Sequence, residues 1–262
     1  MSNQYQVTLF RAEQLQQLRN VRIHSPSIIQ IISGSKRLFW KDAAVDISQS
    51  QILLCEASAS LCFENLPQKG RFLSRMFSFY CQPTNAMLEL SAQSASTAET
   101  PAIEMDIALR DTLNALFSFD LHRMSQTTQT FWVMGLFQQL AEKGVLHQLF
   151  INTSAFSQQL SHYLSYDPGE EHALETVAER FAMSRATLIR KLKQEGTQYR
   201  EVLAEVRFSH ALQLMQNGHD NVLKLAQQCG YQSASRFSQR FKGKFGVTPA
   251  DYMKTLASNA LP

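Results

Sequence analysis

The sequence predicts an α+β chain, with a β-sandwich or barrel followed by helices in the first part and an all-α domain with two helix-turn-helix units in the second. Three observations lead there. Between Ser27 and Phe79 six short β-rich runs, "SIIQII", "KRLFW", "AAVDI", "QILLC", "ASLCFE" and "RFLSRMFSFY", follow one another at close spacing. From Ile103 onward apolar residues recur at three and four positions, the period of amphipathic helices. Beyond Glu170 a short helix, a tight turn and a cationic helix occur twice.

The β-rich runs fit no helical period, and turn-forming pieces separate them: Ser33-Gly34-Ser35-Lys36 and Pro67-Gln68-Lys69-Gly70. A Ser/Ala/Thr-rich connector is expected at 91–101. Helices follow over Ile103 to Phe119, Gln126 to Lys143 and Phe156 to Tyr166, and Asp167-Pro168-Gly169 breaks the run. A first unit is read at about 174–195: helix Leu174 to Phe181, turn Ala182-Met183-Ser184, then a helix capped by Ser184. A second lies at about 222–245: helix Val222 to Cys229, turn Gly230-Tyr231-Gln232-Ser233, and a helix to Phe245. Gly230 suits a left-handed turn position, where Ala182 must tolerate more strain.

At 262 residues the chain is long enough for two ordinary domains, expected over 1–150 and 155–262. The net charge is only +3, but residues 168–262 hold 13 Lys+Arg against 9 Asp+Glu, while residues 1–167 hold 12 against 13. The cationic excess thus belongs to the helical C-terminal part, as a polyanion-binding module would show. "MSNQYQVTLFRAEQ" has neither the basic start nor the apolar core of a signal peptide, and the apolar clusters are too short to span a bilayer, so a cytoplasmic location is expected. Cys55, Cys62, Cys81 and Cys229 form no metal or disulfide pattern, and no metal or other cofactor is expected.

In the second cationic helix Phe237, Phe241 and Phe245 make an apolar stripe, with Ser235, Arg236, Gln239 and Lys242 opposite and Arg240 and Lys244 on the flanks. In the first, Leu188, Ile189 and Leu192 face a core, while Ala186, Thr187, Arg190, Lys191 and Gln194 point away. Between them a helix of about 198–216 changes its apolar side midway: Tyr199, Val202, Leu203 and Val206 first, then Phe208, Ala211, Leu212 and Met215. Different neighbours must therefore pack its two ends. Such a strut would be about 28 Å long, close to the roughly 34 Å between successive major-groove faces of a duplex. Arg and Gln can make paired hydrogen bonds to base edges, whereas edge lysines suit phosphate.

These residues carry a resemblance. "MSRATLIRKLKQEGTQYREVLAEVRFSHALQLM" and "VLKLAQQCGYQSASRFSQRFKGKFGVTPADYM" resemble the DNA-binding domain of AraC/XylS-type transcription regulators over about 155–256, through Ala178, Ser184, Leu188, Arg190, Gly196, Tyr199, Arg207, Ala211, Ala226, Gly230-Tyr231, Phe237, Phe241-Lys242, Phe245-Gly246 and Thr248-Pro249. The resemblance implies a sequence-specific regulator, an activator or dual regulator, acting on double-stranded promoter DNA and RNA polymerase. It implies base-reading positions at Ala186, Ile189 and Arg190 and at Ala234, Ser235, Arg236 and Gln239. The periodicity agrees for Arg190, Ser235, Arg236 and Gln239, adds Thr187, and turns Ile189 toward the core. Arg185, Lys191, Lys193, Arg240, Lys242 and Lys244 are the expected phosphate contacts.

Relatives of this kind carry a cupin-like β-barrel ahead of dimer-forming helices, and the strand-then-helix order here is similar. A small acidic or amphipathic effector would be gripped by Lys36, Arg37, Trp40 and Lys41, with Arg11 nearby, against Phe39, Phe63 and Phe72, unless these cations merely line a solvated strand edge. Leu109, Leu113, Leu116, Phe131, Val133 and Phe137 are either ordinary core or the seam of a homodimer. The strands contain no histidine between His24 and His122, and no catalytic signature stands in a convincing context, so no enzyme activity is expected. The rival reading is a ligand-binding or protein-interaction module that does not touch DNA.

Overall fold

A computed structural model describes residues 3–57, 59–94, 100–151 and 155–256. Eight strands come first: β1 (Tyr5–Ala12), β2 (Gln16–Arg22), β3 (Ser27–Ser33), β4 (Ser35–Trp40), β5 (Ala43–Ile47), β6 (Gln51–Cys55), β7 (Ser60–Leu66) and β8 (Phe72–Phe79). Helix α1 (Asn85–Gln93) and strand β9 (Ala102–Glu104) lead to α2 (Ile107–Ser118), α3 (Gln126–Glu142) and α4 (Leu146–Leu149). The C-terminal helices are α5 (Phe156–Leu164), α6 (Leu174–Arg180), α7 (Arg185–Gln194), α8 (Tyr199–Gln216), α9 (Val222–Gln228), α10 (Ala234–Phe245) and α11 (Pro249–Lys254).

The strands form two antiparallel sheets, one ordered β1-β8-β3-β6-β9 and the other β2-β7-β4-β5. Alternation along each strand decides where its side chains go. In the five-stranded sheet Ile29, Ile31, Leu53 and Phe72 face inward, into a core shared with Leu18, Leu38 and Leu61 of the other sheet. Their neighbours Ile28, Ile52, Leu54, Phe77 and Phe79 face outward, against Leu109, Leu113 and Leu116 of α2 and Val133, Leu136, Phe137 and Leu140 of α3. Being covered on both sides explains why "SIIQII" reads as a nearly unbroken apolar run.

The sequence pattern begins the sheets at Ser27, but the structure begins them at Tyr5, and β9 precedes the helix expected from Ile103. The expected connector also changes character, because Ser91 to Gln93 complete α1; residues 95–99 lie outside the described residues. Leu109, Leu113, Leu116 and Phe137, read as a possible dimer seam, are fully buried in the chain's own core together with Val133. A side chain already enclosed by its own sheet has no area left for a partner. Phe131 differs, at 73 % exposed.

The first helix-turn-helix unit has its own core, where Phe156, Leu160 and Leu164 of α5 meet Val177, Leu188, Leu192, Val202 and Val206. Phe208, Ala211, Leu212 and Met215, from the second half of α8, instead join Leu225, Phe237, Phe241 and Phe245 in a cluster continuous with the interior of the sheets. Helix α8 is thus packed by different neighbours at its two ends. Its 18 residues span about 27 Å at roughly 1.5 Å per residue.

Several hydrogen bonds fasten the second unit to the sheets. The Gln216 side chain accepts from the Arg11 N–H at 3.0 Å and donates to the Arg11 carbonyl at 3.1 Å, treating edge strand β1 as a neighbouring strand would. The N–H groups of Glu13 and Gln14 donate to the Thr255 carbonyl.

Candidate nucleic-acid interface

Both cationic helices start with a side-chain cap. The Ser184 hydroxyl accepts from the Thr187 N–H at 3.2 Å, and the Ser233 hydroxyl accepts from the Arg236 N–H at 3.3 Å. Each cap satisfies a backbone donor that the first turn would leave unpaired, a contribution of about 1 kcal/mol. The turns before them need left-handed backbone: φ is +52° at Ala182 and +71° at Gly230. At Gly230 a side chain would also collide with the Arg207 guanidinium and the Gly169 carbonyl. Arg207 occupies that space to donate to the carbonyls of Pro168 and Glu170, tying the loop after α5 to α8.

In α10, Phe237, Phe241 and Phe245 are buried, and each phenyl ring removed from water stabilises the fold by about 1.5–3 kcal/mol. They surround Phe208 in an aromatic cluster with ring centroids 5.9–6.2 Å from it. Ser235, Arg236, Gln239, Arg240 and Lys242 are exposed, and Ala234 is half-buried. In α7 only Leu188 and Leu192 are buried; Arg185, Ala186, Arg190, Lys191 and Lys193 are exposed, and Thr187 is half-buried beside its cap. Neither helix contains an acidic residue.

One position departs from the periodic reading. Ile189, assigned there to the core, is 45 % exposed. The buried stripe of α7 is only two leucines wide, one turn apart, and Ile189 lies about 100° round from Leu188, on the side of Ala186 and Arg190.

Two of the cations form ion pairs within the chain. Arg185 pairs with Glu175 at 2.7 Å on an exposed surface, a contact of at most about 1 kcal/mol. Lys244 pairs with Glu205 of α8 at 2.7 Å, and both side chains are mostly buried.

A cavity of about 240 Å³ lies between the sheets and the C-terminal helices. Its walls include Leu18, Ile29, Lys36, Phe63 and Met76 from the strands, His162 of α5, and Val206, His210 and Leu212 of α8. Lys36 is 3 % exposed. Its ammonium lies 3.4 Å above the centre of the Phe63 ring and donates to the Asn65 side-chain carbonyl. Burial brings its pKa down to about 7. From Asn65 the hydrogen bonds continue to Gln16 at 2.8 Å and from Gln16 to Thr255, just past α11, at 2.7 Å.

The other residues expected around an effector do not line this cavity. Arg37 faces outward from β4 and pairs with Asp46 at 2.8 Å, Lys41 is exposed in the turn after β4 with φ of +52°, and Trp40 packs at the edge of the inner core. Arg11 is exposed and Phe39 is 42 % exposed, while Phe72 is buried beside Lys36. Strand alternation separates them: Lys36 and Leu38 point in, Arg37 and Phe39 out. The α5 and α8 wall was not legible as a site, since its residues meet the strands only through the tertiary fold. Among the described residues no cluster of His, Cys, Asp and Glu could hold a metal, and no helix is long and apolar enough to cross a membrane.

A family model described as a helix-turn-helix domain matches residues 177–255. The porin thermoregulatory protein EnvY of Escherichia coli K12 is 31 % identical over 105 residues, 40 % of this chain and 42 % of that protein. The HTH-type transcriptional regulator GadX of Escherichia coli O6:H1 is 37 % identical over 87 residues, 33 % of this chain and 32 % of that protein. The chain therefore spans less than half the length of these curated relatives. Over the whole of both chains the fold is that of ToxT from Vibrio cholerae, solved with an unsaturated fatty acid bound, at a TM-score of 0.62 and 18 % identity. The matched domain spans α7, α8 and α10, so residues 177–255 form a helix-turn-helix domain similar to those of these regulators.

Proposed function

We propose that the protein is a sequence-specific DNA-binding transcription regulator whose two cationic helices enter neighbouring major grooves of a promoter. The observation that carries this reading is the pair of capped, acid-free helices, each with its leucine or phenylalanine side buried and its arginines outward. Arg190, Arg236 and Gln239 read base edges, helped by Ala186, Thr187, Ala234 and Ser235, and Ile189 offers an apolar contact to a thymine methyl. Arg185, Lys191, Lys193, Arg240 and Lys242 position the backbone, with Lys244 beside them. An activator's role is supported by 29 % identity over 96 residues to the urease operon transcriptional activator of Escherichia coli, and RNA polymerase is the partner such a role calls for. The action on DNA makes the cytoplasm the place of work and leaves no enzymatic role.

The cavity is the proposed effector site. A buried lysine with no carboxylate partner among the described residues, set beside apolar walls, suits an acidic, amphipathic small molecule, its acid group on Lys36 and its apolar part along Phe63 and Leu212. Homodimerisation is assigned to the α2–α3 surface, where Phe131 and Trp132 are exposed at one end of the helix pair and Ile107 at the other.

Selection of bound duplexes from a random-sequence pool tests the central reading. Arg236→Ala should relax preference at one base position by about 1–3 kcal/mol, and Lys242→Ala should weaken all sequences alike and flatten the salt dependence by about one phosphate contact. Failure to enrich any sequence, or the opposite behaviour of the two variants, would overturn it.

A further inference from the structure

The strongest unexplained feature lies where strand β2 meets the C-terminal end of α10. Glu205, on α8, is 16 % exposed and holds two cations at once: Arg22 of β2 at 3.1 Å and Lys244 of α10 at 2.7 Å. Strand β2 shifts register against β7 between Leu18 and Val21, and of the two residues within that irregularity Asn20 takes a left-handed φ of +54°. The irregularity aims two further side chains at α10. The Asn20 amide donates to the Lys244 carbonyl at 3.3 Å, and the Arg19 side chain packs against Gly246, the residue that ends the helix. The partners of Lys244 on this side are therefore a carboxylate from the linker helix, itself braced by the first domain, and a side chain of that same domain.

We propose that Glu205, held in place by Arg22, masks Lys244 and withholds one phosphate contact from the second recognition helix while the first domain is docked on it. A lysine that reaches a carboxylate at 2.7 Å from a mostly buried position must give up that partner before it can meet a phosphate. The exchange trades one anion for another and gains little. Undocking of β2 takes Arg22 and Asn20 away and opens the Glu205–Lys244 pair to water, where such a pair is weak and the ammonium is free to exchange its partner. The strength of DNA binding by the second unit is thereby coupled to the docking of the first domain. This inference rests on the reading of α10 as a DNA-recognition helix.

The test measures affinity for one duplex by fluorescence anisotropy from 50 to 200 mM salt, using the full chain. Glu205→Gln keeps the shape and a hydrogen bond to Arg22 but removes the charge that holds Lys244. It should bind about three- to tenfold tighter at the low-salt end, with the slope of log K against log salt steeper by about 0.9, the value of one added phosphate contact. Lys244→Ala alone should change binding less than about twofold, whereas Lys242→Ala lowers both affinity and slope. In the double variant Glu205→Gln/Lys244→Ala the gain should disappear. A gain that survives loss of Lys244 would mean that Glu205 merely repels the duplex, and would overturn the proposal. So would an unchanged slope in Glu205→Gln, or a Lys244→Ala loss as large as that of Lys242→Ala, which shows Lys244 already on phosphate. Should Glu205→Gln not fold, the Lys244→Ala comparison decides alone. If Lys242→Ala weakens binding while these outcomes fail, only the mask is wrong; if the parent chain binds no duplex, the regulator reading falls as well.

Discussion

Replacing Lys36 by methionine should make the protein more stable, and the gain should shrink as pH rises. In the unfolded chain the ammonium titrates near 10.5; in the fold, burial brings it down to about 7. Between those values the unfolded chain holds the proton more tightly, so the wild type gains stability as pH climbs from 7 toward 10.5 and is penalised below that window. At about 1.36 kcal/mol per decade the penalty is about 4–5 kcal/mol at pH 6.5 and about 3 kcal/mol at pH 8.5. Methionine fills the same space without charge. Against the gain stand the lost cation–π contact with Phe63 and an Asn65 carbonyl left without its donor, together costing about 2–4 kcal/mol. The net expectation is a variant more stable by about 1–3 kcal/mol at pH 6.5, with the advantage smaller by about 2 kcal/mol at pH 8.5. Urea melts of both proteins at the two pH values measure this directly. A variant that is less stable at pH 6.5, or an advantage that does not narrow with pH, would refute the reasoning. Retention of so costly a residue makes sense if Lys36 serves a ligand, as sites of function commonly sacrifice stability.

Two other perturbations probe separate parts of the molecule. His24 shares a 3.0 Å hydrogen bond with Ser209, and burial lowers its pKa to about 4. The unfolded chain therefore takes up this proton first, and stability should fall as pH drops from 6.5 to about 4; His24→Gln should flatten that decline in denaturant midpoints, leaving smaller slopes of the same sign from His162 and His210. Phe131→Glu, at a 73 % exposed position, should change stability by less than about 0.5 kcal/mol and yet abolish self-association in sedimentation velocity. A dimer that persists unchanged would move the seam elsewhere.

The C-terminal helices were legible because their signals are local. Ser184 and Ser233 announce their helices, the four-residue spacing of Phe237, Phe241 and Phe245 gives the buried side, and the change of apolar side near Arg207 foretells a strut with two sets of neighbours. Strand β1 was missed because "YQVTLFRA" buries only its end residues fully, leaving no clean alternation. Lys36 was among the expected effector residues, but the sequence could not separate it from Arg37, Trp40 and Lys41: that depends on which sheet face becomes interior, and on α5 and α8 closing over it. Leu109 and Phe137 look alike whether they pack on a sheet or on a second copy, since apolar periodicity records burial and not the identity of the cover.

The grip of Gln216 on both backbone groups of Arg11 has a consequence for what happens if the two halves of the molecule separate. Strand β1 is the outermost member of its sheet, and an uncovered margin of that kind recruits strands from other chains. The linker helix acts as a guard rail along it. A Gln216→Ala chain, or one pried open by other means, would offer that bare margin to its neighbours, and its first failure would be clumping in solution ahead of any loss of secondary structure.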